Sequence, residues 1–314
     1  MRLVFMGTPD FSVPSLEALY TAGHEIVGVF TQPDRPAGRG NKITACPVKI
    51  LAQTLKLPLF QPAKIKTPEI VNLIKNLQPE CIIVVAFGQI LSKEILQLPP
   101  FGCVNVHASL LPAYRGAAPI HWAVINGESL TGVTTMLMDE GLDTGDMLLA
   151  REYRISSSAT TGEVHDALAK IGAEVLIETI QGLEKGILTP IPQPTEFTYA
   201  PLLKREHEKL EWSWNSATIH NRIRGLNPWP GAFTTFRHEQ VKIWQGNMPD
   251  GTVNKNKLQG AVPGQIIALT ANGFMVQTGE GAIEIAELQP AGKKKMKASD
   301  FFNGRRVQLG ECFS

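Results

Sequence analysis

The sequence of 314 residues predicts an α/β fold, a doubly wound and mostly parallel sheet, followed by a second, smaller β-barrel domain. Residues 3–31 have the pattern strand, helix, strand, and such β-α-β units build parallel sheets. Residues 81–86 form an unbroken apolar run, which is typical of a parallel strand that is buried on both faces. After residue 210, short alternating segments separated by Gly and Asn predict a small β-barrel or sandwich.

The other elements follow from local signals along the chain. Pro14 and Pro68 stand near predicted helix starts, where the missing N–H of proline costs nothing. In the first domain the predicted helices span 12–22, 48–57, 67–77, 117–125 and two runs between 160 and 186, and the predicted strands span 3–6, 25–31, 59–62, 81–86, 103–107 and 132–138. In the second domain a basic helix at 215–226 precedes strands at 232–236, 241–244, 264–269, 273–278 and 282–288.

The predicted domain boundary lies in a proline-rich segment. Pro190, Pro192 and Pro194 give this segment the composition of a stiff, extended linker. We therefore predict a catalytic domain at 1–189, a linker at 190–208 and a C-terminal domain at 209–314.

Charge is distributed unevenly between these domains. Residues 209–314 contain 13 Lys and Arg against 8 Asp and Glu, whereas the rest of the chain contains 17 against 21. A basic domain attached to a catalytic one indicates a polyanionic partner such as nucleic acid, and ordinary surface charge is the alternative. The basic residues that we assign to this partner lie in the predicted helix at 215–226 and in a lysine run. They are Arg222, Arg224, Lys293, Lys294 and Lys295.

A second basic segment lies in the first domain. Residues 32–49 are rich in Gly and Pro, have no helix or strand pattern, and include Arg35, Arg39 and Lys42. Loops of this length are usually either functional or disordered. We expect these three side chains to meet phosphates once a partner orders the loop, and a solvated flexible loop is the alternative.

Several classes of protein are excluded by what the sequence lacks. No apolar run approaches the roughly 20 residues that span a bilayer. The four cysteines are scattered without a Cys-x-x-Cys pair, which argues against a disulfide framework and against a zinc site. The turn at residues 7–9 reads Gly-Thr-Pro, so the glycine fingerprint of a dinucleotide site is missing. We expect a cytoplasmic monomer that uses no metal.

The strongest candidate site lies at residues 103–116. Asn105 and His107 are two residues apart in a predicted strand, so their side chains emerge on the same face. The strand then runs into a loop, and ligands of open α/β sheets bind at the carboxyl ends of strands. A buried polar pair that only satisfies loop backbone is the alternative.

A second polar segment, residues 139–146, contains three aspartates and two glycines. Its spacing does not match an EF-hand, so calcium is not indicated. If this loop lies at the same edge of the sheet, Asp143 can reach His107. The chain has no Gly-x-Ser-x-Gly nucleophile elbow. Asn105, His107 and Asp143 therefore suit direct acyl transfer, in which an amide donates to an oxyanion and a histidine moves a proton.

These residues also carry a resemblance. Residues 105–116, Asn-Val-His-x-Ser-Leu-Leu-Pro-x-Tyr-Arg-Gly, followed by Gly-Leu-Asp-Thr-Gly-Asp at 141–146, resemble the folate-dependent formyltransferases. Further stretches at 7–11, 32–42, 226–231 and 289–294 resemble the members that act on methionyl initiator tRNA. The match covers nearly the whole chain in the same order.

The resemblance implies a function for each segment. The donor would be 10-formyltetrahydrofolate, and Asn105, His107 and Asp143 would be catalytic. The basic loop around Arg39 would contact the acceptor end of the tRNA, and an OB-like C-terminal domain would bind its backbone. Phe87 departs from a family pattern that often reads Ala-Tyr-Gly, so a hydrogen bond from that position is in doubt. The implied folate-binding residues are Phe87, Gly88, Ile90, Ser109, Leu110, Leu111, Pro112 and Gly141.

Three other functions remain open at this point. A glycinamide ribonucleotide formyltransferase would share the catalytic residues, but it would normally end near the linker. A sugar-nucleotide formyltransferase can carry a second domain. A non-catalytic RNA-binding protein on the same fold would bind tRNA without depending on folate.

Overall fold

The computed structural model describes residues 1–37, 42–249 and 260–314. Within these residues the N-terminal elements are β1 Arg2–Gly7, α1 Val13–Thr21, β2 Glu25–Phe30, β3 Arg35–Ala37, β4 Lys42–Thr44, α2 Pro47–Thr54, β5 Leu59–Phe60, α3 Pro68–Leu77, β6 Cys81–Val85, α4 Lys93–Leu96, β7 Cys103–His107, β8 Arg115–Gly116, α5 Pro119–Ile125, β9 Leu130–Leu137, β10 Met147–Arg154, α6 Thr161–Glu184 and β11 Tyr199–Ala200. The later elements are α7 Ser216–Gly225, β12 Ala232–Phe236, β13 Glu239–Asn247, β14 Ile266–Leu269, β15 Phe274–Gln277, β16 Ala282–Pro290, β17 Met296–Lys297 and α8 Ala298–Gly304.

The chain divides into two compact units. The first consists of Met1–Pro119, Leu130–Arg154 and His165–Ala200, and the second of Ile120–Ser129, Ile155–Val164 and Pro201–Ser314. Two internal segments, Ile120–Ser129 and Ile155–Val164, thus group with the C-terminal part of the chain. A single domain boundary along the sequence cannot describe this division. The linker at 190–208 stays a prediction.

The first unit is built on a seven-stranded sheet with the order β10-β9-β7-β6-β1-β2-β5. Strands β7, β6, β1, β2 and β5 pair in parallel, whereas β9 runs antiparallel to β7 and β10 runs antiparallel to β9. The predicted α/β class with a mostly parallel sheet is confirmed. β7, which carries Asn105 and His107, lies inside the sheet between β6 and β9.

All five residues of β7 are buried. The alternation of apolar and polar residues in this strand is typical of a sheet with one solvent-exposed face. Here both faces are covered, so Asn105 and His107 are polar groups inside the protein. Two cysteines of neighbouring strands share this environment: burial raises the pKa of Cys81, and it raises the pKa of Cys103 to about 12. Both thiols are therefore inert.

Several segments differ from the sequence-based expectation, among them the unpredicted short helices α4 and α8. Residues 32–49 contain a short hairpin, in which Arg35 pairs with Thr44 across β3 and β4. Three-residue strands are too short to give a recognisable alternation. The edge strand β10 was not predicted, although its burial alternates along its length. The two predicted runs between 160 and 186 form one helix, α6, of 24 residues.

The second unit is a closed antiparallel barrel. Its strands follow the order β12-β13-β16-β15-β14, and β17 pairs with β16. The C-terminal tail joins the two ends of this order, because Ser314 exchanges backbone hydrogen bonds with Thr235 of β12 and Ile266 of β14 bonds to Glu311 and Gly310. The tail leaves no gap between first and last strand, and the predicted small β-barrel is confirmed.

No helix in the described parts of the chain is long and apolar enough to cross a bilayer.

Candidate active site

Asn105 and His107 lie near the carboxyl end of β7. Asn105 is paired with Val84 on one side and Met136 on the other, and His107 is paired with Thr134. Their residues are only 8% and 6% exposed. A buried polar group is costly unless it is hydrogen-bonded, so each of these side chains needs a partner or a ligand.

His107 is held from two directions. Its Nε2 lies 3.0 Å from the backbone oxygen of Tyr114, and because a carbonyl only accepts, Nε2 is the donor. Its Nδ1 faces the Asp143 carboxylate, at 3.7 Å from Oδ2. This distance is longer than a hydrogen bond, so the carboxylate acts on the ring through its charge.

Asp143 reaches His107 although its loop does not start at the carboxyl end of β7. Because β9 is antiparallel to β7, the loop after β9 leaves the sheet beside Cys103, where the Met138 N–H donates to the Cys103 carbonyl at 2.8 Å. The loop therefore starts at the opposite edge of the sheet from the carboxyl end of β7. The loop nevertheless returns far enough for Asp143 Oδ2 to accept a hydrogen bond from the Gly116 N–H at 2.8 Å.

Backbone strain marks the same place. Tyr114 and Asp143 adopt left-handed conformations, with φ of 61° and 53°, and neither is glycine. Ala86, directly after β6, does the same with φ of 45°. Such conformations cost free energy and concentrate at functional sites.

The Asn105 carboxamide makes no hydrogen bond to another residue in the described ranges of the chain. Each of its atoms retains some access to solvent, since none is among the fully enclosed polar atoms without a partner. An amide in this condition is available to a substrate. It offers two N–H donors at the strand end where ligands of such sheets bind.

The residues expected to bind folate separate into two groups. Phe87, Ser109 and Leu111 are buried, and the Ser109 hydroxyl donates to the Ala113 carbonyl at 2.6 Å. Any contact that these three make with a ligand would therefore come mainly from the backbone. The remaining residues have accessible surface: Gly88, Ile90, Leu110, Pro112 and Gly141. Ile90 is 81% exposed.

Two further contacts shape the segments around this surface. Thr134 of β9 pins the loop after β7, because its hydroxyl accepts from the Leu111 N–H at 3.0 Å and donates to the Ser109 carbonyl at 2.8 Å. Lys93 pairs with Glu140 at 2.7 Å and so links the start of α4 to the loop that carries Asp143.

The predicted nucleic-acid-binding residues differ in their exposure to solvent. Lys293 and Lys294 are exposed, and Lys295 is exposed while it pairs with Glu287. Arg35 is exposed at the base of the β3–β4 hairpin. Arg39 lies outside the described residues, and for Lys42 only the backbone is described, within β4.

The structure corrects the prediction that Arg224 binds nucleic acid. It is 6% exposed, and its guanidinium donates to the Ala159 carbonyl at 2.9 Å and to Asn221 at 2.9 Å. Arg222 is half-buried, and its guanidinium lies 5.0 Å from the Trp214 ring. Burial lowers the pKa of both arginines. Arg224 is a structural residue of the second unit, because helix packing turned this side of α7 inward.

Sequence reasoning missed Gln193. Its side chain contacts Arg115 and the backbone of the Asp143 loop, although it stands in the segment predicted as a linker. A lone glutamine among prolines carries no local signal for such a role. In the described residues no group of three or more His, Cys, Asp or Glu could hold a metal ion.

Comparison with known proteins extends over both units. The formyl transferase family matches residues 1–180, and the C-terminal domain of formyl transferases matches residues 202–306. The methionyl-tRNA formyltransferase of Desulforamulus reducens is 50% identical over 311 residues, which cover 99% of this chain and 96% of that protein. The methionyl-tRNA formyltransferase of Pelotomaculum thermopropionicum is 50% identical over 318 residues, which cover 100% of both chains.

Among solved structures, HypX from Aquifex aeolicus in complex with tetrahydrofolic acid superposes with a TM-score of 0.67 at 18% identity. The match covers 99% of this chain and 48% of that one, and it concerns the fold alone. Identity of one half along the whole length, across both matched domains, leads to a direct conclusion: this chain belongs to the methionyl-tRNA formyltransferases of the formyl transferase family.

Proposed function

We propose that this protein transfers the formyl group of 10-formyltetrahydrofolate to the α-amino group of methionyl initiator tRNA. The observation that carries the proposal is the meeting of Asn105, His107 and Asp143 at one strand end in a chain of this family. We place the enzyme in the cytoplasm as a monomer, with the folate as co-substrate and no metal.

Direct transfer suits the groups that are present. The new bond joins the methionyl nitrogen to the formyl carbon, and the bond from that carbon to the donor nitrogen breaks. Asn105 supplies an amide N–H to the oxyanion that develops on the formyl oxygen. His107, or water beside it, takes the proton that the methionyl nitrogen loses and returns one to the leaving nitrogen. The Asp143 carboxylate stabilises positive charge that develops on the imidazole during this exchange.

The surface around the site fits a flat, partly apolar donor. Ile90 and Leu142 are apolar and 81% and 55% exposed, and they belong to the two segments that the Lys93–Glu140 ion pair links. Contiguous apolar surface that stays open to solvent marks ligand grooves and interaction sites. We assign these segments, with Gly88, to the donor.

The exposed lysines of the second unit support the tRNA half of the proposal. Lys293 and Lys294 stand on the barrel surface, and Lys295 lies 6.0 Å from the Trp244 ring. Lysines bind nucleic acid by neutralising phosphates, which releases counterions. We assign this lysine run, with Arg35, Arg39 and Lys42 of the hairpin segment, to the tRNA backbone.

Formyl transfer is the direct test. We expect purified protein to formylate methionyl initiator tRNA with 10-formyltetrahydrofolate and to leave a 3-amino sugar nucleotide unreacted. The measurement is incorporation of labelled formyl group into each acceptor. Transfer to the sugar nucleotide alone would keep the donor assignment and contradict the tRNA assignment. Tight tRNA binding without any transfer would favour the non-catalytic alternative.

The lysine run has its own expected result. Replacing Lys293 and Lys294 together by Ala should raise KM for tRNA and leave kcat unchanged. It should also reduce the salt dependence of tRNA binding by up to about two units of slope, since each phosphate contact contributes about one. Lys185→Ala, an exposed position directly after α6 in the first unit, serves as the control. An unchanged salt slope in the double variant would remove the lysine run from the tRNA surface.

A further inference from the structure

Residues 191–200, hereafter the strap, make hydrogen bonds to the two loops of the candidate site. At one end Ile191 and Met147 exchange two backbone hydrogen bonds of 2.9 Å each. At the other end β11 pairs in parallel with β8. The sequence places this stretch in the predicted linker at 190–208, with a stiff, extended composition. In the first unit it instead bridges the loop after β7 and the loop after β9.

The strap also holds the segment that contacts His107. Tyr114, whose carbonyl accepts from His107, donates its own N–H to the Thr198 hydroxyl at 2.8 Å. Arg115 donates its backbone N–H to the Thr198 carbonyl at 2.9 Å. One side of His107 therefore depends on two contacts from the strap.

Gln193 lies near the start of the strap, two residues after Ile191, and both polar groups of its side-chain amide make hydrogen bonds. Its Oε1 accepts from Arg115 Nε at 3.0 Å and from Arg115 Nη2 at 2.7 Å. Its Nε2 donates to the Asp143 carbonyl at 2.9 Å and to the Gly145 carbonyl at 2.7 Å. An amide offers two donors and two acceptor positions, and all four are used here.

Arg115 fixes the orientation of the Gln193 side chain. It is buried, and its guanidinium lies 4.5 Å from the Phe197 ring of the same strap. A planar guanidinium that is fixed in this way orients the amide that it binds. The Asp143 loop is thus tied, through Gln193, to the segment that follows His107.

We propose that Gln193 is a positioning residue for formyl transfer, which holds the backbone of Asp143 so that its carboxylate faces His107. The proposal rests on the catalytic roles proposed for His107 and Asp143. The side chain must donate on one side and accept on the other, which an amide does and which neither a carboxylate nor an apolar side chain of this size can do. The role of Gln193 differs from that of Arg115, which anchors it.

Two substitutions separate this role from simple packing. Gln193→Leu keeps the size and removes every hydrogen bond. Gln193→Glu gives Arg115 a negatively charged partner. It also turns a carboxylate oxygen, which cannot donate, toward the Asp143 and Gly145 carbonyl oxygens. If Gln193 served only Arg115, the Glu variant would work as well as the native enzyme. If it positions Asp143, both variants should lose kcat by about 10–100-fold, with KM for tRNA and folate within about two-fold, since small misplacements cost rate.

A double-mutant cycle with Asp143→Asn completes the test. If Gln193 acts through Asp143, the variant that combines Gln193→Leu with Asp143→Asn should be no slower than Asp143→Asn alone. Gln265→Leu, which removes an amide contact to the Val262 N–H in the other unit, is the control and should keep native kcat. Thermal unfolding of each variant confirms that it is folded.

The outcomes are distinct. Native kcat in Gln193→Glu, or multiplied losses in the double variant, would overturn the positioning role. Equal turnover by the native enzyme and by Asp143→Asn would instead contradict the proposed roles of the site, whatever Gln193 does.

Discussion

Alanine at His107 is expected to lower kcat for formyl transfer by about 10²–10⁴-fold, the range typical for loss of a general acid or base. His107 is only 6% exposed, is held by the Tyr114 carbonyl and faces the Asp143 carboxylate, so its imidazole is fixed in position for proton transfer. KM for either substrate should change by less than about three-fold, because the lost interaction belongs to the transition state. The measurement is steady-state kinetics with methionyl initiator tRNA.

His24→Ala is the matched control for this variant. His24 lies in the same unit, in the turn before β2, where its Nδ1 is 3.3 Å from the N-terminal amine. It should leave kcat unchanged. Turnover by His107→Ala within ten-fold of native would contradict the proton-transfer role, and a trapped formyl-enzyme intermediate would contradict direct transfer.

Asn105→Ala is expected to lower kcat by about 10²–10³-fold, which is the usual cost of one oxyanion donor. Asn105→Asp should be at least as slow, because a carboxylate cannot donate and would face the developing negative charge. Both variants should bind tRNA and folate almost as the native enzyme does. Quenched-flow single-turnover kinetics would separate this loss from any change in product release.

Stability provides the second readout for Asn105. Since its carboxamide bonds to no other described residue, removing it leaves no partner unsatisfied within the described structure. The free energy of unfolding of Asn105→Ala should therefore fall by no more than about 1–2 kcal/mol, as for a small truncation at a partly accessible site. A large loss of stability with nearly native kcat would indicate that Asn105 has only a structural role. This is the alternative stated above, a buried polar pair that only satisfies loop backbone.

The segment at residues 32–49 contacts the turn after β6 through Gln32. Its amide Nε2 donates to the Phe87 carbonyl at 3.1 Å, and its Oε1 accepts from Arg35 at 3.3 Å. Beside it, Asp34 is bound by Gln61 and Lys49, and these two hydrogen bonds lower the pKa of Asp34. The base of the segment is therefore a structured part of the first unit, which the absence of a strand pattern in the sequence concealed.

The sequence by itself determined the α/β class and the small β-barrel of the second domain, and it supplied the residues proposed for the site. These follow from short-range rules: apolar runs mark buried strands, and a spacing of two puts Asn105 and His107 on one face. The motif around them is contiguous, so it can be read without knowing how the chain folds.

The tertiary structure alone decided which distant groups meet. Gln193 is 78 residues from Arg115 and 50 from Asp143, and no local pattern relates them. Whether Arg224 faced solvent depended on which side of α7 packs inward. The path of the Asp143 loop depended on the direction of β9, because an antiparallel neighbour reverses the end of the sheet at which a loop begins. Contacts of this kind come from the packing of whole elements, which the side-chain pattern of any one segment does not contain.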